Sequence, residues 1–368
     1  MRKEIPAIQS FSRRDFLRLA GISGLAATSG GLLTACAPKQ TEVTHFVWVG
    51  GGQGIVPREV VPAYMEEHPN VTIELYEGTN SVTYPKMVAA KEADPNNPLI
   101  NFGFFNIDAT VKGTKDDMWV SLDPEKIPNM NTIDKSWWRP DNKGITWGLA
   151  EIGLIYNTDL VVDPPTSWLD LIDPKWNGQV VMMDYPFDEF LATVSYSVGG
   201  DASNDDEAWN LITKAAADGQ FLSFGTSNED VKSPLVRGEA LIAPWFPGMT
   251  ESWVEEEGVP LAWVEPKEGF LAFPLFFQIV NGSSPEQIDV ASDIINMYLD
   301  PDTLERYSCL TKTPHTSSVA GVCEELQGNP LFDPDVVANA IKIDWDTVAE
   351  RDVEWRDRWD REVKAAMP

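Results

Sequence analysis

The sequence predicts an α/β chain built on two sheets. Strand-like and helical runs alternate along most of its length, which points to helices packed on parallel strands. The clearest unit lies near the start. His45-Phe46-Val47-Trp48-Val49 is strand-like, Gly50-Gly51-Gly52-Gln53-Gly54 is a turn, 57–68 is helical, and Val71-Thr72-Ile73-Glu74-Leu75-Tyr76 is a second strand. Strand, turn, helix, strand is a βαβ unit, whose two strands lie parallel. The third observation is length: 368 residues exceed one small domain, at about 150 residues per domain.

The remaining elements read in order. Residues 81–92 are helical, and 99–105 form a strand that ends in a loop. Residues 147–156 form another apolar strand. Pro164-Pro165-Thr166-Ser167-Trp168-Leu169-Asp170-Leu171 is a turn feeding a helix, with Thr166 or Ser167 as N-cap. A strand over 179–183 ends at Asp184, and helices cover 187–198 and 205–218. Strands follow at 240–245, 261–264 and 271–280, and helices at 286–299, 301–309, 334–341 and 346–365. There are no internal repeats. The glycines after the first strand fit neither G-x-G-x-x-G nor G-x-x-x-x-G-K-[ST], so they read as a tight turn letting a ligand approach backbone N–H groups.

Composition excludes several classes. Hydrophobic residues make up 43% and charged residues 23% of the chain, enough for a buried core. With 28 Lys+Arg against 57 Asp+Glu, the net charge is −29. A nucleic-acid partner needs basic surface, and so does an anionic membrane surface. Three His and three Cys leave little material for a metal centre, and no metal or cofactor is expected. The fourteen Trp are the unusual feature.

The first 35 residues read as an address. Ser12-Arg13-Arg14-Asp15-Phe16-Leu17 opens a small and apolar stretch that ends in Leu33-Thr34-Ala35-Cys36. The order resembles a twin-arginine signal followed by the lipobox of bacterial lipoproteins, which implies export in the folded state. Cleavage before Cys36 would leave that residue lipidated, with 36–42 as a tether. The stretch is too short and too rich in Gly, Ser and Thr to span about 30 Å of hydrocarbon. The expected location is the periplasm or the outer face of the cell membrane. Cys309 and Cys323 remain; outside the cytoplasm such thiols often pair, and two buried free thiols are the alternative.

At this point a family is recognisable. Thr166-Ser167-Trp168-Leu169-Asp170-Leu171, then Asp173-Pro174-Lys175-Trp176-Asn177-Gly178, then a strand ending at Asp184, resembles a signature of extracellular solute-binding proteins of ABC importers. The closest resemblance is to the spermidine/putrescine-binding type. Further matches fall in order: Phe46-Val47-Trp48, Tyr76-Glu77, Tyr84-x-Lys86-Met87, Asn157-x-Asp159, Leu235-x-x-Gly238-Glu239-Ala240 and Pro266-Lys267-Glu268-Gly269. Together they cover roughly 43–330. The resemblance implies a type II periplasmic-binding-protein fold, two α/β lobes with the ligand cleft between them. It places 43–150 plus 276–330 in the first lobe and 151–275 in the second, with 331–368 bracing the pair. It implies a monomer that is no enzyme, closing on a small solute by hinge motion and delivering it to a permease driven by a separate ATPase.

Polyamine pockets of this family combine aromatic walls, which attract ammonium groups, with acidic ends. The matching positions are Trp48, Trp245, Asp184 and Asp188. Gln53, Asn80 and Asn228 lie on loops at similar strand ends, and Phe273 stands where the family places an aromatic. Trp168 and Trp176 are expected to pack the signature turn. The departures are Leu275, Gly103 and Phe105, where the family places an Asp, a Ser and a Tyr. The pocket is therefore more apolar than the family's, and other organic cations or a sugar stacked on Trp faces remain open. No Tyr-Tyr pair supports an iron cargo. A surface hydrolase would have to use Asp184 and Asp188 as paired carboxylates, with no further catalytic motif beside them; an adhesion protein would need an exposed aromatic patch.

Overall fold

The computed structural model describes residues 40–49, 52–184, 187–225 and 227–368. The first strand, β1 (Thr41–Trp48), runs parallel to β2 (Val71–Gly78) through the crossover helix α1 (Ile55–Glu67). A second crossover through α2 (Asn80–Ala93) leads to β3 (Phe102–Asn106), parallel to β1 on its other side. Helix α3 (Ile107–Lys115) follows, with the Asn106 side chain accepting from the Ala109 N–H as its cap.

Strand β4 (Ile145–Asn157) is the key to the architecture. Its residues 145–152 pair antiparallel with β9 (Leu271–Ile279), which also pairs antiparallel with β3. From Gly153 onward it changes partners, to β7 (Ile242–Trp245) on one side and β8 (Leu261–Val264) on the other. Strand β5 (Val180–Met183) lies parallel to β7 and to β6 (Phe221–Gly225). The order is β2-β1-β3-β9-β4-β7-β5-β6, with β8 against β4. Strands β5 to β7 therefore run opposite to β1 to β3, so the C-terminal ends of the two sets face each other along β4.

Register gives the size of the gap. The end of β3 lies level with Gly148 through Leu275, and the end of β7 lies level with Gly153. At about 3.3 Å per residue, that span of β4 is roughly 16 Å long.

Helices α4 (Phe187–Ser197), α5 (Asp206–Ala217), α6 (Asn228–Arg237) and α7 (Pro247–Glu257) belong to the second half. Helices α8 (Pro285–Tyr298) and α9 (Pro301–Thr311) return to the first half and cover β1 and β9 beside α1. Their aromatic residues build its core: Trp147 stacks on Tyr307 at 4.8 Å and lies edge-on to Phe104 at 5.7 Å. After α10 (Pro334–Asn339), Ile341 pairs beside Leu271 on the open edge of β9. Helix α11 (Trp345–Arg358) then packs against α3 of the first half and α4 of the second.

The signature segment proves to be a fastening. Ser167 and Asp170 form a capping box on a short 3-10 helix. The Ser167 hydroxyl donates to Glu268 Oε1 at 2.6 Å, and Trp168 Nε1 donates to the Gly269 carbonyl at 3.0 Å. The two motifs thus hold each other, and Trp168 and Trp176 are buried packing residues. Cys309 and Cys323 are joined by a disulfide, with Cα atoms 6.0 Å apart. Helices 107–115, 228–237 and 247–257 are not expected from the sequence. Residues 228–237 carry a proline and four charges over ten positions, and that hides the periodicity.

Candidate functional site

The facing strand ends collect most of the residues singled out from the sequence. Trp48 closes β1, half-buried, with its ring 6.0 Å from Phe104. Gln53 follows in the turn before α1 and is 7% exposed. Its backbone carbonyl accepts from Tyr307 Oη at 3.0 Å, yet its side-chain Oε1 is buried with no partner. Asn80 opens α2 rather than lying on a loop, because Thr79 is extended and serves as the N-cap. It is 3% exposed, and both its Oδ1 and its Nδ2 are without partners. The hydroxyl of Thr83, on the same helix face one turn on, is unpartnered too.

Across the gap, Trp245 closes β7. It is buried, stacks on Trp253 at 5.8 Å, and has an unpartnered Nε1. Phe246 joins it to Phe273, and Phe273 meets Trp345 edge-on at 5.8 Å. Buried polar groups are nearly always hydrogen-bonded, and leaving one unmade costs about 1–3 kcal/mol. Gln53 and Asn80, expected at the site for lying at strand ends, and Trp245, expected there from the resemblance, carry such unmade bonds.

The acidic positions stand differently. Asp184 ends β5, but its carboxylate is engaged by the C-terminal segment. Oδ1 accepts from Trp359 Nε1 at 3.1 Å, and Oδ2 accepts from Lys364 Nζ at 3.0 Å. Trp359 in turn lies 5.0 Å from Phe224 on β6. Lys364 is pushed up by its hydrogen bonds to Asp184 and Asp360. Asp188 falls in the first turn of α4, and its side chain lies outside the described residues. Gly50 and Gly51 of the turn, the leader expected over 1–35 and Cys36 also lie outside them.

Asn228 is corrected from a loop to the first residue of α6, where it is exposed. The Ser227–Asp230 capping box starts the helix there. Gly103 also gains a physical reason. A Cβ at that position would stand 2.4 Å from the Phe46 carbonyl oxygen, so the close approach of β3 to β1 excludes any side chain.

One residue escaped the sequence reading. Glu151 lies on β4 opposite Ala272, two residues before β4 changes partners, and is 4% exposed. Burial, with the charge of Glu265 adding to it, pushes its carboxyl up to about 9. It is therefore neutral at pH 7, and its Oε1 has no partner. A lone acid within thirteen otherwise nonacidic strand residues was the available signal. Cys309 and Cys323 stand near Glu325, but bonded sulfurs offer no thiolate to a metal.

A family model described as bacterial extracellular solute-binding protein matches residues 100–340. The chain belongs to that family. Solved structures agree on the type II fold. An ABC transporter protein from Clostridium perfringens is 20% identical with a TM-score of 0.70, covering 88% of this chain and 100% of its own. The spermidine/putrescine substrate-binding protein PotD from Streptococcus pneumoniae is 17% identical with a TM-score of 0.70, over 89% and 99%. The periplasmic binding protein AfuA from Actinobacillus pleuropneumoniae, with fructose-6-phosphate bound, is 17% identical with a TM-score of 0.65, over 89% and 99%. A search of curated protein sequences finds no match. This solute-binding protein thus has the two-lobed fold expected from its sequence, with β4 and β9 as the strands that cross between the halves.

Proposed function

We propose that this solute-binding protein captures a small organic amine between its halves and delivers it, chemically unchanged, to the permease and separate ATPase of an ABC importer. The lobes of this reading are 43–150 with 276–330 and 151–275, and the crossing strands are the hinge. The unmade hydrogen bonds of Gln53 Oε1 and Asn80 Oδ1 carry it. Two amide oxygens can accept from an ammonium group. The faces of Trp48 and Trp245 add about 0.5–2 kcal/mol each through cation–π attraction, and Phe273 closes the apolar wall. Asp188 is the remaining acidic partner, and Asn228 is a rim contact. In the same reading the protein is a monomer exported through a twin-arginine leader and anchored by lipid on Cys36.

A neutral hydroxylated solute such as a sugar is the second reading. Asn80 Nδ2 and Trp245 Nε1 are donors that an ammonium cannot satisfy, and Lys364 already neutralises Asp184. Isothermal titration with spermidine, putrescine, choline and maltose separates the two. Saturable binding of an amine, with the ligand recovered intact, is the expected result. Binding of maltose alone would replace the amine by the hydroxylated solute, and turnover of any ligand would overturn the transport reading.

A further inference from the structure

A separate cavity of about 170 Å³ lies on the crossing strands. Its floor is Thr146 of β4 with Ala272, Pro274 and Phe276 of β9, a set that excludes Phe273. Trp137 and Trp138 wall one side, Trp345 walls another, and the exposed residues Ser136 and Lys342 rim the mouth. The volume matches a cavity known to hold benzene, about 150 Å³. It also accounts for three of the fourteen tryptophans.

Its charge runs against the rest of the molecule. In a chain with twice as many acidic as basic residues, the lining holds Arg139 and Lys342 and no Asp or Glu. The Arg139 side chain is 13% exposed. Its Nη2 donates to Asp346 Oδ1 at 2.7 Å, and Asp346 itself is largely exposed. Its Nε is buried and unpartnered. Lys342 Nζ stands 4.8 Å above the Trp137 ring. A planar aromatic body matches the three indoles and the apolar floor, and a carboxylate matches the guanidinium, which presents its donors in a fork suited to that group.

We propose that this cavity is a second small-molecule site, and that it takes a benzoate-sized aromatic carboxylate. It shares no lining residue with Trp48, Gln53, Asn80 or Trp245, although its wall Trp345 meets Phe273 edge-on at 5.8 Å, so binding in a Trp48 variant is what separates the two sites.

Titration of the full exported chain with benzoate, followed by calorimetry and by tryptophan fluorescence, tests it. Benzoate is expected to bind at least tenfold more tightly than benzyl alcohol. Arg139→Gln should weaken benzoate about tenfold. Ser136→Trp changes an exposed rim residue and should block the mouth while the fold survives, so the test stands even if the arginine variant fails to fold. Trp48→Ala should leave benzoate binding intact. Equal affinity for the acid and the alcohol would overturn the proposal, as would undiminished binding in Ser136→Trp. Failure of millimolar benzoate to bind would also overturn it, and loss of binding in Trp48→Ala would move the ligand to the strand-end site.

Discussion

The two sets of facing strand ends solve opposite problems. In the first half, Gln53 and Asn80 bury polar atoms that have no partner among the described residues. In the second half, the most prominent polar group, Asp184, has both oxygens engaged by Trp359 and Lys364. An unsatisfied buried group is a standing cost that only a bound partner relieves. A satisfied one belongs to the scaffold. The unmade bonds thus lie in the first half and at Trp245, while Asp184 moors the C-terminal segment to β5.

The largest test removes the unsatisfied groups. Asn80→Leu together with Gln53→Leu should weaken the solute about a hundredfold, yet raise the stability of the empty protein by about 1–2 kcal/mol. Opposite signs in titration and urea unfolding are the signature; a loss of stability in the empty protein would show that these amides have partners after all. Trp48→Ala should cost about tenfold in affinity if the ring faces a cation, with a smaller loss for Trp48→Phe. Equal affinity in all three proteins would take Trp48 out of the site.

Glu151 sits between the two halves and gives a pH test. Its carboxyl, raised from 4.5 to about 9, keeps its proton in the folded protein where the unfolded chain has lost it. Stability contributed by this group is full below about pH 4.5 and falls through that window, by at most about 1.4 kcal/mol per pH unit. Glu151→Gln should flatten the decline in urea midpoint between pH 5 and 8; parallel profiles would mean that Glu151 is solvated. The smallest effect belongs to Asp184. Its pair with Lys364 is partly exposed, at 29% and 38%, so Asp184→Asn should cost about 0.2–1 kcal/mol. Lys364→Ala should cost the same, and the double variant little more. Solute affinity that drops tenfold in Asp184→Asn would return this carboxylate to the site.

These contrasts mark what a sequence shows and what it hides. The α/β class was legible from local signals such as the βαβ unit at 45–76, whereas the two-lobed fold was legible only through the resemblance carried by Thr166–Gly178 and Pro266–Gly269. Strand ends were legible too, and so were Trp48, Gln53, Asn80 and Trp245 as residues standing on them. Whether their polar atoms find partners was not, since that depends on contacts remote in the chain. Asp184 and Lys364 are 180 residues apart, and nothing near either of them announces the pair. The raised carboxyl of Glu151 comes from burial by β9 and from Glu265, both far along the chain. Arg139 and Lys342 come together only because the segment after α10 docks on the open edge of β9.

The place of β9 in the sheet also sets an order of events. It lies between β3 and β4, yet it follows β5 to β8 in the chain. As the nascent chain emerges, the second half can pair its own strands while one edge of β3, opposite β1, still lacks a neighbour. The edge left waiting is Phe102-Gly103-Phe104-Phe105, an apolar strand of the kind that adds to other chains. Until β9 is made and inserted, this edge is an aggregation hazard, and a chaperone acting during synthesis would shield it.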